Sequence, residues 1–263
     1  MTRYNIAASA VGNPSQGKSI VAVAPLRNQL YAFVDDGVFV GDPTGTYNWT
    51  PDSVFVRLFA TGHGVARYAP CRRVKVVSFG GGLLVPITKS DIENSPVPAT
   101  SASGILLFMD ESCVKIIHAS GRITGLAVTP DSIQLATVTS ENTHTSTRID
   151  YCFKQLLKLP HDIINKHPPP LSLILAKRLT AGEQLGGIPL NGYHKKRVVT
   201  TSNNDNILMV REYDTSAPEN SADEEKYTLK KGRNEIDLDG FGRIVSFKFE
   251  KNDQAGHLYL YLT

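Results

Sequence analysis

The sequence predicts a mainly β protein, with an antiparallel meander in its N-terminal part, a β-sandwich-like C-terminal part and one helix between them. Short apolar runs broken by turn residues fill the first part, and four segments near the C-terminus alternate apolar and polar residues at a period near two. The 263 residues include 21 glycines and 15 prolines, which favour many turns and few long helices.

The N-terminal prediction starts from a β-hairpin over residues 30–41, in which Asp35-Asp36-Gly37 separates two apolar runs. An Asp-Gly turn supplies the positive φ that a tight hairpin needs, and the flanking aromatic and β-branched residues favour strands. A second copy of this pattern is predicted over residues 105–116. Further strand-turn-strand units are predicted at residues 20–33, 74–87 and 121–138.

A single helix is predicted to follow Thr147, which fits an N-cap. Apolar residues recur there at helical spacing, at Ile149, Cys152, Phe153, Leu156 and Leu157. Pro160 breaks the helix, and the three prolines at 168–170 make a stiff, extended connection.

These breaks divide the chain into three predicted parts: a β-meander domain at 1–147, the helix and proline-rich connection at 148–170, and a sandwich-like domain at 171–263. His161 and His167 lie in the connection. A histidine near a helix end can be a ligand or an acid/base group, but it is more often a capping or surface residue. We interpret both histidines as capping or surface residues.

The strands predicted in the C-terminal part are residues 196–201, 206–213, 243–250 and 257–262. Residues 217–226 are polar and acidic, and we interpret them as a solvated loop rather than a partner contact. Tyr259 and Tyr261 are two residues apart, so they share one face of the last strand. Such a pair can bind sugar, but it more often forms an ordinary strand face.

Nucleotide binding is the main alternative function. Residues 12–19 match the P-loop pattern G-x-x-x-x-G-K-[ST], in which Lys18 would reach the terminal phosphates and Ser19 would bind magnesium. An apolar run that ends in two acidic residues resembles a Walker B strand. The site of this alternative consists of Gly12, Gly17, Lys18, Ser19, Asp110 and Glu111.

The context of this octet favours a structural interpretation. The β-branched residues 20–24 are followed by Pro25, which fits a strand better than the helix that a P-loop opens. Asp110 and Glu111 fall in a predicted hairpin turn, and strands do not alternate with helices along the chain. The nucleotide hypothesis therefore requires a helix from Gly17 and a parallel sheet, and it stays open as the alternative.

Composition and motifs indicate no catalytic residues, cofactor or metal site, so we predict that the protein is not an enzyme. The net charge of +3 and scattered basic residues give no strong nucleic-acid signal. The start of the chain lacks a secretory pattern, and its apolar runs are too short to span a membrane. Cys71, Cys113 and Cys152 are far apart and are predicted to be reduced, buried and small hydrophobes.

Several stretches resemble known families. Residues 121–138, with a Pro-Asp turn between apolar strands, resemble a WD-repeat blade. The hairpin at 30–41 with the following residues to Thr50 resembles blades of propeller-type tail proteins of short-tailed phages. Residues 229–244 are similar to closing strands of β-sandwich appendages on viral and carbohydrate-binding proteins.

The resemblance implies a partial propeller-like N-terminal part and a non-enzymatic structural or assembly protein, expected in the tail or attachment region of a phage virion. Its expected partners are copies of itself or other virion proteins, because an open meander leaves strand edges that another subunit can cover. A cellular propeller-like interaction scaffold, located in the cytoplasm, is the second alternative.

Overall fold

The structure, a computed structural model, describes residues 20–26, 29–34, 38–40, 56–70, 74–90, 103–110, 113–140, 152–213 and 221–263. Within these residues the protein is almost entirely β, which confirms the predicted fold class. Every ladder between two of the described strands is antiparallel. No described helix is long and apolar enough to cross a membrane.

The described N-terminal strands form four small sheets. Strand β1 pairs with β2, β3 pairs with β4, a five-stranded sheet has the order β5-β7-β8-β9 with β6 also on β7, and β10-β11-β12 form a meander. The strands are β1 (Ile20–Leu26), β2 (Gln29–Val34), β3 (Val38–Val40), β4 (Val56–Leu58), β5 (Arg67–Pro70), β6 (Val77–Phe79), β7 (Gly82–Ser90), β8 (Gly104–Met109), β9 (Val114–Ser120), β10 (Arg122–Val128), β11 (Ile133–Ser140) and β12 (Cys152–Leu159).

A 3₁₀ helix (His161–Asn165) leads into a sandwich of two four-stranded sheets, with orders β13-β20-β15-β18 and β14-β19-β16-β17. The strands are β13 (Leu171–Ala176), β14 (Gln184–Pro189), β15 (Lys196–Ser202), β16 (Asn206–Tyr213), β17 (Ser221–Leu229), β18 (Gly232–Asp237), β19 (Ile244–Phe249) and β20 (His257–Leu262). The four strands predicted for this part are confirmed as β15, β16, β19 and β20.

Three of the predicted strand-turn-strand units are present as β1-β2, β6-β7 and β10-β11. The turn between β6 and β7 shows the local cause. Gly80 and Gly81 have φ of 57° and 79°, and Phe79 pairs directly with Gly82. A two-residue hairpin turn with both φ values positive suits glycine, because other side chains clash with the backbone there.

The two related hairpins have different outcomes. The one at 105–116 is confirmed, because β8 and β9 pair from Gly104 with Ser120 to Met109 with Val114. The one at 30–41 is wrong as a paired unit: its described arms are strands, but β2 pairs with β1 and β3 pairs with β4. Its turn, Asp35-Asp36-Gly37, lies outside the described residues.

The predicted helix is wrong over residues 152–159, which form β12. This strand pairs with β11 along its whole length, from Cys152 opposite Ser140 to Leu159 opposite Ile133. Leu159 is buried, whereas Leu156, which the helical pattern placed on the apolar face, is 63% exposed. Eight consecutive backbone partners on β11 outweigh a local periodicity, because strand formation depends on the neighbouring strand more than on intrinsic preference. Thr147 lies outside the described residues.

One further segment was misassigned, because the acidic segment predicted as a loop begins β17 at Ser221. The sequence made no prediction for the glycine-rich stretch through Gly186 and Gly187, which forms β14. The side chains of residues 223–226 are exposed. Strand β17 forms because its partner β16 supplies a ladder from Asn206 to Tyr213, which overrides the low strand preference of acidic residues.

The main apolar core includes residues from both sides of the predicted connection. Phe33, Phe59 and Ile105 belong to the same buried cluster as Leu185 and Phe247. A smaller cluster lies beneath β10, β11 and β12. The amide of Gly62 donates to the carbonyl of Leu175 (2.7 Å), and Ala60 and Gly186 form an antiparallel bridge. The division into domains at 147 and 171 stays a prediction. Among the described residues, those before 147 and those after 171 contribute to one buried cluster.

Candidate interaction face

The residues proposed for nucleotide binding are placed only in part. Gly12, Gly17, Lys18, Ser19 and Glu111 lie outside the described residues. Strand β1 begins at Ile20, directly after the octet, and pairs antiparallel with β2. The described residues therefore contain neither the helix after the octet nor the parallel sheet that the nucleotide hypothesis requires.

The remaining member, Asp110, follows β8. Its amide donates to the carbonyl of Cys113 (2.9 Å), which closes the turn into β9, and β8 runs antiparallel to both of its neighbours. This is the hairpin-turn position that the structural interpretation predicts. Cys113 is half-buried rather than buried, and it accepts a hydrogen bond from the side chain of Asn191.

Three buried ionisable side chains brace loops of the sandwich. One carboxylate oxygen of Glu212 accepts the amides of Gly242 and Arg243, both at 2.7 Å. The ammonium group of Lys196 donates to the carbonyls of Phe241 and Asp239. These groups have backbone partners inside the fold, so their charges are already compensated.

Asp253 has the same kind of role. Its Oδ2 accepts the Ser202 hydroxyl (2.8 Å) and the Asn203 amide (2.6 Å), and its Oδ1 accepts the Ala255 amide (3.1 Å). Burial alone raises the pKa of this carboxyl, but the hydrogen bonds outweigh burial and the pKa is lowered. Among the described residues, no group of three or more His, Cys, Asp or Glu side chains is arranged to hold a metal ion.

A polar groove lies at the end of the β10-β11 hairpin, with a volume of about 340 Å³. The hydroxyl of Thr129 donates to the carbonyl of Ser132 (3.0 Å), and a ring nitrogen of His161 lies 2.9 Å from the carbonyl of Thr129. The turn thus uses the polar atoms at this end of the groove to hold its own shape.

The outer side of the sheet β13-β20-β15-β18 carries the most distinctive exposed cluster. Along β20, Leu258, Leu260 and Leu262 are buried, so the residues between them point outward. We name the outward cluster the tyrosine face, and it consists of His257, Tyr259 and Tyr261 on β20, Arg197 on β15, and Arg233 and Glu235 on β18.

Strand register brings these side chains together. Arg197 is directly opposite Tyr261, and its guanidinium carbon lies 5.5 Å from the centre of the tyrosine ring. Tyr261 is 36% exposed and is thus open to a partner. The rings of His257 and Tyr259 are nearly parallel, at 12°, with centres 6.1 Å apart.

One carboxylate joins the two guanidinium groups of the face. Glu235 contacts Arg197 at 2.6 Å and Arg233 at 3.2 Å, and all three side chains are between two-fifths and two-thirds exposed. Exposed ion pairs contribute only about 0.2–1 kcal/mol each, because water screens them. The charged groups of the face can therefore exchange these partners for new ones at little cost.

The opposite sheet carries a comparable exposed pair of an arginine and a glutamate. Arg211 of β16 contacts Glu224 of β17 through two guanidinium nitrogens, at 3.1 Å and 2.5 Å. This hydrogen-bonded contact lowers the pKa of Glu224. The pair is a matched internal control for Arg197 and Glu235.

Comparison with known proteins identifies a family. A family model described as "Uncharacterized protein conserved in archaea (DUF2139)" matches residues 2–146, which is more than half of the chain. The protein belongs to this family. No curated protein matches it.

Among solved structures, the chain is similar to a glycoside hydrolase family 43 arabinoxylan arabinofuranohydrolase from Bacillus subtilis in complex with cellotetraose. The identity is 10%, the match covers 92% of this chain and 78% of that one, and the TM-score is 0.27. A similarity of this size carries no argument about function.

The family corrects the predicted biology. Its description as conserved in archaea shows that the assignment to a phage virion, and with it the likeness to phage tail proteins, is wrong. The motifs behind that assignment were strands and Pro-Asp or Asp-Gly turns, which occur in every β-meander and so do not mark common ancestry. The alternative of a cytoplasmic location stays a prediction.

Proposed function

We propose that the protein is a non-enzymatic interaction protein of the archaeal cell that works as an assembly of copies of itself, docked through the tyrosine face. The observation that carries this proposal is the arrangement of Arg197 over Tyr261, with Glu235 beside it, on an exposed sheet surface. Tyrosine and arginine are enriched at the energetic centres of protein interfaces.

The chemistry of the face suits a second copy of the same chain. It carries two guanidinium groups and one carboxylate within reach of each other, and Asp237 lies opposite Arg197 on the neighbouring strand. In a twofold interface each patch meets its own copy, so a patch must be complementary to itself. A mixture of both charges around a central tyrosine meets this condition.

The edge of the sheet adds to this argument. Among the described strands, β18 pairs with β15 on one side and has no second partner. An edge strand presents free backbone donors and acceptors, which a neighbouring subunit can cover. Glu235 and Arg233 stand on this strand, so a copy docked on the tyrosine face also reaches the edge.

The non-enzymatic part of the proposal rests on how the ionisable groups are used. Lys196, Glu212 and Asp253, the buried charged residues of the sandwich, all hold backbone groups of their own loops. A catalytic acid or base needs access to a substrate. These three side chains instead have structural partners.

Sedimentation analysis of the purified chain tests the proposal. The wild type is expected to sediment as a multiple of its 28.7 kDa mass. In the proposed twofold interface, Arg197 of each copy meets Glu235 of the other. Arg197→Glu and Glu235→Arg each place like charges opposite one another at these contacts, so each variant is expected to be monomeric. Truncation of an interface anchor costs about 2 kcal/mol or more, which weakens association about 30-fold.

Mixing distinguishes self-docking from simple damage to the fold. An equimolar mixture of Arg197→Glu and Glu235→Arg restores opposite charges at both symmetry-related contacts, and association is expected to return. Arg211→Glu on the other sheet is the control and leaves the mass unchanged. A wild-type monomer at about 100 µM, or a mixture that stays monomeric, refutes the self-docking proposal.

A further inference from the structure

Two histidines that are separate in sequence meet at the surface. His167 precedes the three prolines of the connection, and His194 lies in the loop before β15. Their Nε2 atoms are 2.9 Å apart, and their ring centres are 4.5 Å apart. Both side chains are exposed.

The separation of the two nitrogens fits a shared metal ion. Two nitrogens that bind one ion at about 2.1 Å each and at about 90° to each other, as neighbouring ligands do in tetragonal or octahedral coordination, are about 3.0 Å apart. The 2.9 Å between the two Nε2 atoms is close to this value.

The two rings also satisfy the geometry of a direct N–H···N hydrogen bond between their Nε2 atoms, in which either ring can be the donor. A metal ion that binds both Nε2 atoms displaces this proton, because each nitrogen must present its lone pair to the metal.

The backbone on both sides of the pair is well anchored. The hydroxyl of Tyr193, whose pKa is raised by burial, donates to the carbonyl of Pro169 (2.8 Å), which ties the loop of His194 to the connection of His167. Lys115 donates to the carbonyl of Lys166 at 2.6 Å. A Cβ on Gly192 would lie 2.9 Å from Pro168, so only glycine allows this close packing.

We propose that His167 and His194 form a binding site for one divalent first-row transition metal ion with tetragonal or octahedral preference, Ni²⁺ or Cu²⁺. Imidazole is a favoured ligand of these ions, and water fills the other positions. Each ring binds through Nε2 and keeps its proton on Nδ1. This site is separate from the tyrosine face and goes beyond the proposed function.

Charged neighbours set the expected strength of binding. Lys166 and Lys195 adjoin the two histidines in sequence, and the ammonium group of Lys115 reaches the carbonyl of Lys166. Lys166 forms an ion pair with Asp162 at 3.1 Å. These cations oppose a metal ion. With only two protein ligands, the site is expected to bind Ni²⁺ with a dissociation constant in the micromolar range rather than the nanomolar range.

Calorimetric titration of the untagged, full-length chain with NiCl₂ tests the proposal. One Ni²⁺ per chain is expected, and His167→Ala and His194→Ala each weaken binding at least about tenfold, because each removes half of the protein ligands. His63→Ala is the matched control, since His63 is also exposed and contacts Arg178 at 3.2 Å, and it leaves binding unchanged. Mg²⁺ is expected not to bind.

Two further measurements separate ligand loss from damage to the fold. Ni²⁺ is expected to raise the melting temperature of the wild type and of His63→Ala, but not of either histidine-site variant. The spectrum of bound Cu²⁺ is expected to show two coordinating nitrogens. Equal Ni²⁺ affinity in His167→Ala and wild type, a Cu²⁺ spectrum with one nitrogen, or no saturable binding at about 1 mM Ni²⁺ overturns the proposal.

Discussion

Replacing Gly187 with alanine tests the contact that joins β4 to β14 across the predicted domain boundary. Gly187 has a φ of 64°, and a Cβ added there would lie 1.9 Å from the carbonyl oxygen of Arg57. A left-handed conformation costs a non-glycine residue about 1–2 kcal/mol. The clash is between two backbones, so it can be relieved only if β4 and β14 move apart.

Separation of the segments breaks further interactions. The amide of Phe59 donates to Gly187 (3.2 Å), and Ala60 and Gly186 exchange two hydrogen bonds of 2.7 Å and 2.8 Å. At about 1 kcal/mol for each bond, the substitution is expected to lower the free energy of unfolding by about 4 kcal/mol in all. For a chain of this size, that corresponds to a fall in melting temperature of about 10 °C.

Gly81→Ala is the control for backbone strain alone. Gly81 has a φ of 79°, but no atom lies within 4 Å of an added Cβ. Its substitution is expected to cost about 1–2 kcal/mol, measured by urea unfolding and by thermal melting side by side with Gly187→Ala. If the two variants lose the same stability, the close contact of Gly187 with Arg57 does not exist and the argument for a shared core is wrong.

Three other changes test separate features. Leu156→Lys is expected to change stability by less than about 0.5 kcal/mol, whereas Leu159→Lys unfolds the chain; equal damage by circular dichroism and melting would favour the helix over β12. The pKa of Asp253 is lower in the folded state, so its contribution to the free energy of unfolding is present at neutral pH and is lost as the pH falls below about 4. Asp253→Asn is therefore expected to make the free energy of unfolding depend less on pH in the acidic range than it does in the wild type. Lys18→Ala is expected not to alter the fluorescence of an ATP analogue with magnesium, and micromolar wild-type binding that this change abolishes would restore the P-loop hypothesis.

The strands that sequence predicted best are those with a one-sided pattern. In β20 the leucines alternate with His257, Tyr259 and Tyr261. Such an alternation of apolar and polar residues predicts a strand with one buried face and does not fit a helix. The segment of β12 fits both periods, since Phe153, Leu156 and Leu157 match helical spacing, whereas Leu157 and Leu159 are two residues apart, as on one face of a strand. Its state is decided by β11, a partner that local periodicity cannot reveal. Strand β14 was not predicted because its glycines suggest a loop. Gly187 is needed in this strand because a side chain there would clash with Arg57.

The candidate sites depend on contacts between strands and loops that are distant in sequence. Spacing along β20 shows that Tyr259 and Tyr261 share a side, but it does not show that β15 lies next to them. The pairing of β15 with β20 places Arg197 over Tyr261, and the pairing of β15 with β18 adds Glu235. In the same way, His167 appeared in sequence as a surface residue at the end of a segment. It gains a partner only because Tyr193 binds the carbonyl of Pro169 and carries His194 to it. The face of a strand on which a side chain lies can thus be predicted from the local sequence. The contacts that form both candidate sites depend instead on the order of strands in the sandwich and on the loop of His194, which Tyr193 holds in place.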